Sequence, residues 1–500
     1  MVKTAITPTK EQNYPEWYQQ VIVAAGMADN SPVRGCMVIK PWGYAIWELI
    51  QKKLDYELKE TGHLNAYFPL LIPLSLLEKE ASHVEGFAKE CAVVTHYRLI
   101  QDKSGKLIPD GKLEEPYIIR PTSETISGET MAKWVNSYRD LPILINQWAN
   151  IMRWEMRTRM FIRTSEFLWQ EGHTVHETEI EAQEETLKIL EIYTKLVEDF
   201  LGIPVIQGIK PCFERFPGAV NTYCIEAMMQ DKKALQAGTS HFLGQNFSKA
   251  AGINFTNRTG NIETAWTTSW GVTTRLIGGV IMVHGDNDGL VLPPTIAPYQ
   301  IVIIPIYRDG EEIENINIYC ENIKLKLSKI MFNNEPIRVF FDKKDMRGGD
   351  KVWQWIKKGV PIRLEVGPRD VKNSTVSIGK RTLNTNEKLT LNVDIFVDQI
   401  IENLNNIQQT ITEKARKFLD SNIFELHTFD EFKNFFSEEN NISSGFVKCY
   451  AIDDSIIESY IKPLKVTARC IPLSEYNVNN GKCIFTGKDT KHKMIFAKSY

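Results

Sequence analysis

Between Met152 and His173 the chain reads MRWEMRTRMFIRTSEFLWQEGH, which places Arg153, Arg157, Arg159 and Arg163 within eleven residues, interleaved with carboxylates and aromatics. A planar guanidinium grips phosphate or carboxylate oxygens through two parallel N–H donors, which an ammonium cannot do, so the grouping suits an anion rich in oxygens. In an extended chain successive side chains point to opposite faces. Arg153, Glu155 and Arg157 then share one side and Met152, Trp154 and Met156 the other, with the apolar side expected to be buried. On the returning limb Phe161, Arg163, Ser165, Phe167, Trp169, Glu171 and His173 fall on one face. A solvated strand would not set large aromatics among Arg, Glu and His. The pattern predicts two antiparallel strands, turning near 157–160, that present charged and aromatic groups to a cleft.

Two further stretches carry candidate chemistry. In GVTTRLIGGVIMVHG, Arg275 sits in the first turns of an apolar, glycine-rich helix, where aligned backbone N–H groups favour an anion. In RPTSETISGE, Thr122, Ser123 and Glu124 read either as a helix N-cap with a first-turn acid or as a polar site at a strand-to-helix junction.

The elements that would position these groups fall into three blocks. Residues 1–292 hold nearly all the clustered Trp, His and Gly. Within this block KPWGYAIWELIQKKLDYELKETGH reads as a helix begun by Pro41 and ended by Gly62, its tryptophans being packing residues. NAYFPLLIP follows as an apolar strand interrupted by Pro69, which suits an edge or an interface. The proline-rich LVLPPTIAPYQ is a linker. From 298 to 402, strands such as QIVIIPI and PIRLEVG alternate with helices, as in a small α/β domain. A polar helix leads into a last block, 403–500.

Five hundred residues suit two to four domains. A net charge of -3, from 59 Lys and Arg against 62 Asp and Glu, argues against a surface coated for nucleic acid, so any polyanion must meet a local patch. Eight cysteines without a C-x-x-C pair, a polar N-terminus and no long apolar run are expected of a cytoplasmic chain with reduced thiols and no membrane span.

Taken together and in order, NAYFP, RWE with RTSEF, and SWGVTTRLIGGVIMVHGD resemble motifs 1, 2 and 3 of the class II aminoacyl-tRNA synthetases. With RPTSET and QAGTSHFLGQNF they resemble the prolyl-tRNA synthetases of the type shared by eukaryotes, archaea and some bacteria, over almost the full length. The resemblance implies an α/β multidomain fold: an antiparallel-sheet class II catalytic domain, an α/β anticodon-binding domain and a small α+β C-terminal domain. It implies proline-tRNA ligation through a prolyl-adenylate, with ATP and Mg2+, by a homodimer joined at motif 1. The chemistry displaces pyrophosphate at the α-phosphorus of ATP, where positioning and electrostatics carry the rate.

The same resemblance assigns Arg153 to the α-phosphate and the proline carboxylate, Arg163 and Arg275 to phosphates, Phe167 to stacking on adenine and Glu155 to its amino group. Gln236 and Thr239 would meet the ribose and phosphate. Thr122 and Glu124 would take the two N–H groups of the proline ammonium. Trp169, Phe216 and Trp270 would wall the proline ring, with Glu171, His173, His241, Ser269 and Gly271 beside them. Arg347, Lys351 and Glu365 are candidates for the anticodon of tRNA(Pro). Arg157 and Arg159 are equally suited to solvent and to the tRNA acceptor end.

Two departures from the family pattern stand out. Only about a hundred residues separate motifs 2 and 3, too few for a large editing insertion, so a separate trans-editing protein is expected to clear alanyl-tRNA. Of the four zinc ligands of the C-terminal domain only Cys470 and Cys483 stand where expected, Cys449 being displaced and Thr486 replacing a partner, so no structural zinc is expected. A synthetase for threonine or histidine and a non-catalytic relative are the alternatives. RPTSET and the aromatics weigh against the first, the retained arginines against the second.

Overall fold

The structure is a computed structural model that describes residues 4–81, 90–307, 313–384, 387–437, 444–477 and 480–500. Its frame is an eleven-stranded sheet. Six antiparallel neighbours fill the middle, in the order Val205–Ile209, Asn221–Met228, Ala234–Gly244, Trp266–Thr273, Glu166–His176 and Ile143–Met152. Leu64–Asn65 forms one edge, parallel to Ile143–Met152.

One face of this sheet is covered by helices. Glu179–Lys195 opens on a capping box between Thr178 and Glu181, a device worth about 1 kcal/mol, and brings Tyr193 to 6.4 Å from the Trp270 ring. Pro41–Glu60 has proline in its first turn and buries Ile46, Ile50, Leu54 and Leu58 at helical spacing. Trp42 and Trp47 are buried in the same core. On the sheet, Gly172 faces Trp270 across the pairing, and a Cβ there would lie 2.1 Å from the indole ring. Only glycine lets that ring fold down between strand and helix.

The second layer system is a five-stranded sheet in the order Val339–Phe341, Ile301–Pro305, Ile362–Val366, Thr375–Lys380 and Leu389–Asn392. Its first three strands are parallel, and Ile313–Leu327 crosses between them as the alternation predicts. The long helix Ile400–Asp420 starts inside this unit. Ile400, Leu404, Ile407 and Ile411 belong to its core, so no break in packing marks residues 402 and 403. The C-terminal strands extend the large sheet: Thr467–Pro472 pairs with Val205–Ile209, then Lys493–Ala497, Phe446–Tyr450 and Ile423–Glu425 follow. The last block is therefore continuous with the large sheet at Ile471 and Ile209.

Two local expectations need correction. NAYFPLLIP is not one strand: Leu64–Asn65 and Leu71–Pro73 belong to different sheets, with Pro69, which has no N–H to give a ladder, between them. The arginine-rich hairpin leaves the sheet after Met152 and rejoins it at Glu166. Its tip closes between Arg159 and Arg163, with Phe161 at φ 62°, rather than at 157–160. Off the ladder the two-residue alternation no longer sorts faces. Trp154 and Met156 are exposed where burial was expected, and Phe161 is buried instead.

Candidate active site

The uncovered face of the sheet carries a cavity of about 600 Å³. Its floor and the residues just behind it are set by register. Thr222, His241, Ser269 and His173 stand opposite one another on four adjacent strands. Two residues along, Thr239, Gly271, Glu171 and Gln147 do the same. Positions two apart share a face, so both rows point away from the helix layer that holds Trp270.

Glu171 is fixed before any ligand arrives. Its Oε1 accepts from Gln147 Nε2 at 2.7 Å and from Ser123 Oγ, and its Oε2 faces His173 Nε2 at 3.4 Å. Burial opposes a charge on His173, but Glu171 outweighs it and raises the imidazole pKa. The junction at 122–124 is a polar site at a helix start with Glu124 as its first-turn acid, but it makes no side-chain N-cap. Ser123 sits at the N-cap of Glu124–Trp134 without capping it, and spends its hydroxyl on Glu171. Thr122 donates to Glu124, and both border the cavity. Fully buried Arg120 holds this junction, donating to Phe68 O at 2.6 Å and Asn150 O at 2.8 Å.

The cations converge from three elements. Arg153 leaves the first hairpin strand with its Nε on Pro121 O at 2.8 Å and its guanidinium 5.9 Å from the ring centres of Phe167 and Trp169. Arg163 lays Nε and Nη2 on Glu155 Oε2 at 3.0 and 2.8 Å. Arg275 is the first residue of the helix Arg275–His284, its Nε on Ile162 O at 3.2 Å. Burial lowers the pKa of Arg153, and burial with Arg153, Arg469 and Arg163 nearby pushes that of Arg275 down to about 10. Arginines are gathered closely enough around Arg275 to oppose its charge, which is the electrostatic form of an anion site.

Beside the arginines lies an aromatic recess. The Phe216 ring lies tilted against His241 at 4.5 Å, Thr222 Oγ1 meets His241 Nδ1 at 3.0 Å, and Trp169 closes another side. Burial pushes the His241 pKa down to about 4, so the ring is neutral near pH 7. Gln236, Thr239, Ser269 and Gly271 border the same cavity.

Three residues singled out from sequence are placed differently. Trp270 borders the cavity, but its ring turns to the helix side, 5.1 Å from His63. His173 lies behind Glu171 against Phe68 rather than in the cavity lining. Lys351 is 1 % exposed with Nζ on Asp342 O at 3.0 Å, so it is not offered to a nucleic acid. Arg347 is exposed at a helix N-cap, and Glu365 is paired with Lys388 at 2.7 Å.

The chain matches known proteins along its whole length. A model of the tRNA synthetase class II core domain (G, H, P, S and T) matches residues 107–284, an anticodon binding domain model 300–403, and a prolyl-tRNA synthetase C-terminal model 429–500. The proline–tRNA ligase of Bdellovibrio bacteriovorus is 58 % identical over 500 residues, covering 100 % of both chains. That of Rhodopirellula baltica is 58 % identical over 502 residues, with 100 % of this chain and 98 % of the other covered. The chain belongs to the prolyl-tRNA synthetase family.

Crystal structures of the Cryptosporidium parvum prolyl-tRNA synthetase superpose with TM-scores of 0.90, with halofuginone and AMPPNP bound, and 0.89, with L-proline and AMP bound. Each is 38 % identical and covers 99 % of this chain and 97 % of the other. The class II core, the anticodon-binding unit and the prolyl-tRNA synthetase C-terminal region expected from the motifs are thus all present.

Sequence reasoning missed several residues of this prolyl-tRNA synthetase cavity. Gln147 helps fix Glu171, Thr222 fixes both His241 and the backbone N–H of Phe216, and Lys210, Glu214 and Arg215 border the recess. GIKPCFERFPG, with its charges flanking Phe216, was the available signal. Tyr500 reaches the cavity from the C-terminus, its ring 5.3 Å from Arg159.

Proposed function

We infer that the chain ligates L-proline to tRNA(Pro) in two steps, and the carrying observation is that family kinship over the full length coincides with one cavity holding Arg153, Arg275, Thr122 and Glu124. In the first step a proline carboxylate oxygen attacks the α-phosphorus of ATP, and the bond to pyrophosphate breaks. In the second the terminal adenosine hydroxyl of tRNA attacks the prolyl carbonyl and AMP leaves.

The residues divide the work by chemistry. Glu124 and Thr122 take the two N–H groups of proline's secondary ammonium; Thr122 gives its own proton to Glu124 and keeps oxygen lone pairs to accept with. Phe216, His241 and Trp169 surround the ring, and a neutral His241 adds no repulsion to the ammonium. Arg153 is the cation shared by the proline carboxylate and the α-phosphate. Arg163 gives up an exposed pairing with Glu155 worth about 0.2–1 kcal/mol for phosphate contacts worth about 1.5–3, which frees Glu155 for the adenine amino group. Phe167 offers its face to the base, and Gln236 and Thr239 the ribose side. Mg2+ enters with ATP as part of the substrate: among the described residues no group of three His, Cys, Asp or Glu is placed to hold a metal ion.

The remaining partners follow from surfaces. Leu64 and Tyr67, 66 % and 69 % exposed beside Pro69, support a homodimer joined at motif 1. Arg347 and Glu365 remain candidates for the anticodon. No helix among the described residues is long and apolar enough to cross a membrane, in keeping with a cytoplasmic enzyme. Fit alone rejects alanine only in part, each of the two missing ring methylenes being worth about 1–3 kcal/mol, which supports a separate trans-editing protein.

The test is amino-acid-dependent ATP–pyrophosphate exchange without tRNA, with proline, alanine, cysteine and threonine, beside Arg153→Ala. Exchange should be fastest with proline and lost in the variant. No exchange with any amino acid, even with tRNA present, would favour a non-catalytic relative. Strong deacylation of alanyl-tRNA by the chain alone would remove the need for a trans-editing partner.

A further inference from the structure

Lys210 follows the strand Val205–Ile209 and borders the cavity while only 3 % exposed. Lysines are almost never so buried unless paired. Its Nζ donates to Glu226 Oε1 at 2.8 Å, and Glu226 is itself 0 % exposed. That carboxylate is already gripped from the C-terminal region: Arg469 places Nε on Oε2 at 3.0 Å and Nη2 on Oε1 and Oε2 at 3.0 and 2.9 Å.

The charge count is uneven. A bidentate Arg469 balances Glu226 alone, so Lys210 brings a second cation for one carboxylate. Glu214 is the other acid in range, but it forms no ion pair among the described residues, and burial raises its pKa. Burial also opposes the charge on Lys210, yet Cys224 and Glu226 hold its pKa above the ordinary value. Lys210 is thus a protonated ammonium whose one carboxylate partner is already gripped by Arg469, and it stands at the cavity wall where an arriving anion would meet it. Its neighbours are held from the same side. Asp453 accepts from Cys212 N at 2.6 Å and from Arg215 Nη2 at 3.2 Å, and Ile471 and Pro472 pair with Ile209 and Gly208.

We propose that Lys210 is a further substrate-binding cation of this cavity, taking a phosphate oxygen of ATP or of the tRNA acceptor end, and that Arg469 is its positioning residue through Glu226. The proposal rests on the ligase reading above. It makes the C-terminal region part of the active site rather than an appendage.

The experiment uses the full chain with Lys210→Met, Lys210→Arg and Arg469→Gln. Four readouts are taken: unfolding midpoint, fraction of active sites from the burst of adenylate formation, KM for ATP and kcat in exchange, and single-turnover prolyl transfer from preformed adenylate to tRNA. Lys210→Met leaves Glu226 paired with Arg469, so folding should survive; Lys210→Gln takes its place if it does not.

Loss of one charge-assisted contact should cost about 10- to 100-fold per active site, in exchange if the oxygen belongs to ATP, or in transfer alone if it belongs to tRNA. Lys210→Arg should restore most of it, and Arg469→Gln should weaken the same step. Unchanged per-site exchange and transfer in Lys210→Met overturns the proposal, even if the midpoint falls, since that is what a purely structural lysine would do. An Arg469→Gln effect confined to the midpoint removes its positioning part. Absence of proline-dependent exchange in the unaltered chain would instead sink the ligase reading itself.

Discussion

Arg275→Met separates function from stability more sharply than any other change in this cavity. The guanidinium pKa is pressed well below its ordinary value, down to about 10, by burial and by three other arginines. At about 1.4 kcal/mol per pKa unit, the charged form is held at a cost of up to about 3 kcal/mol in the free protein. Methionine keeps an apolar stem of similar reach, and what the fold loses is the Nε bond to Ile162 O at 3.2 Å, worth about 1 kcal/mol. The free variant should therefore be as stable as the parent, or more stable by about 1–2 kcal/mol. With ATP the sign reverses: one or two charged phosphate contacts vanish, and kcat/KM for ATP in proline-dependent exchange should fall by about 10- to 1000-fold. Urea unfolding and exchange kinetics on the same preparations decide it. A midpoint lowered by more than about 1 kcal/mol with ATP kinetics intact would show Arg275 to be a structural arginine and refute the electrostatic argument.

Two further outcomes are expected. Burial pushes the pKa values of His176, His241 and His284 down to about 4. These rings stay neutral in the fold while the unfolded chain protonates below about 6.5, so their contribution is intact above that pH and is lost between about 6.5 and 4. At pH 5 each should cost about 2 kcal/mol, partly offset by His173, whose shift has the opposite sign. A urea midpoint equal at pH 7 and pH 5 would contradict this. At the motif 1 edge, Leu64→Asp with Tyr67→Asp should convert a dimer to monomers by light scattering, and a monomeric parent protein would remove that interface.

Much of the site was legible because its chemistry is local. Alternation along Glu166–His176 puts Phe167, Trp169 and Glu171 on one face, and no fold is needed to see that they act together. Arg275 at the head of a glycine-rich helix is equally local, as is the start of Pro41–Glu60 at its proline. The alternation failed where the hairpin left the sheet, because the two-residue period is a property of the ladder and not of the residues. Trp154 and Met156 were misjudged for that reason.

The sequence by itself determined which residue types could act and which of them share a strand face or a helix turn, since both follow from backbone periods a few residues long. Only the tertiary structure decided which face was the site. Trp169 and Trp270 read alike in the sequence, yet the helix Glu179–Lys195 covers the side to which Trp270 points, and glycine at 172 makes room for it. Lys351 reads as a surface charge until its burial against Asp342 is known. The pairing of Arg469 with Glu226 spans 243 positions. Such a contact depends on how distant strands come to lie side by side in one sheet, and no local period records that.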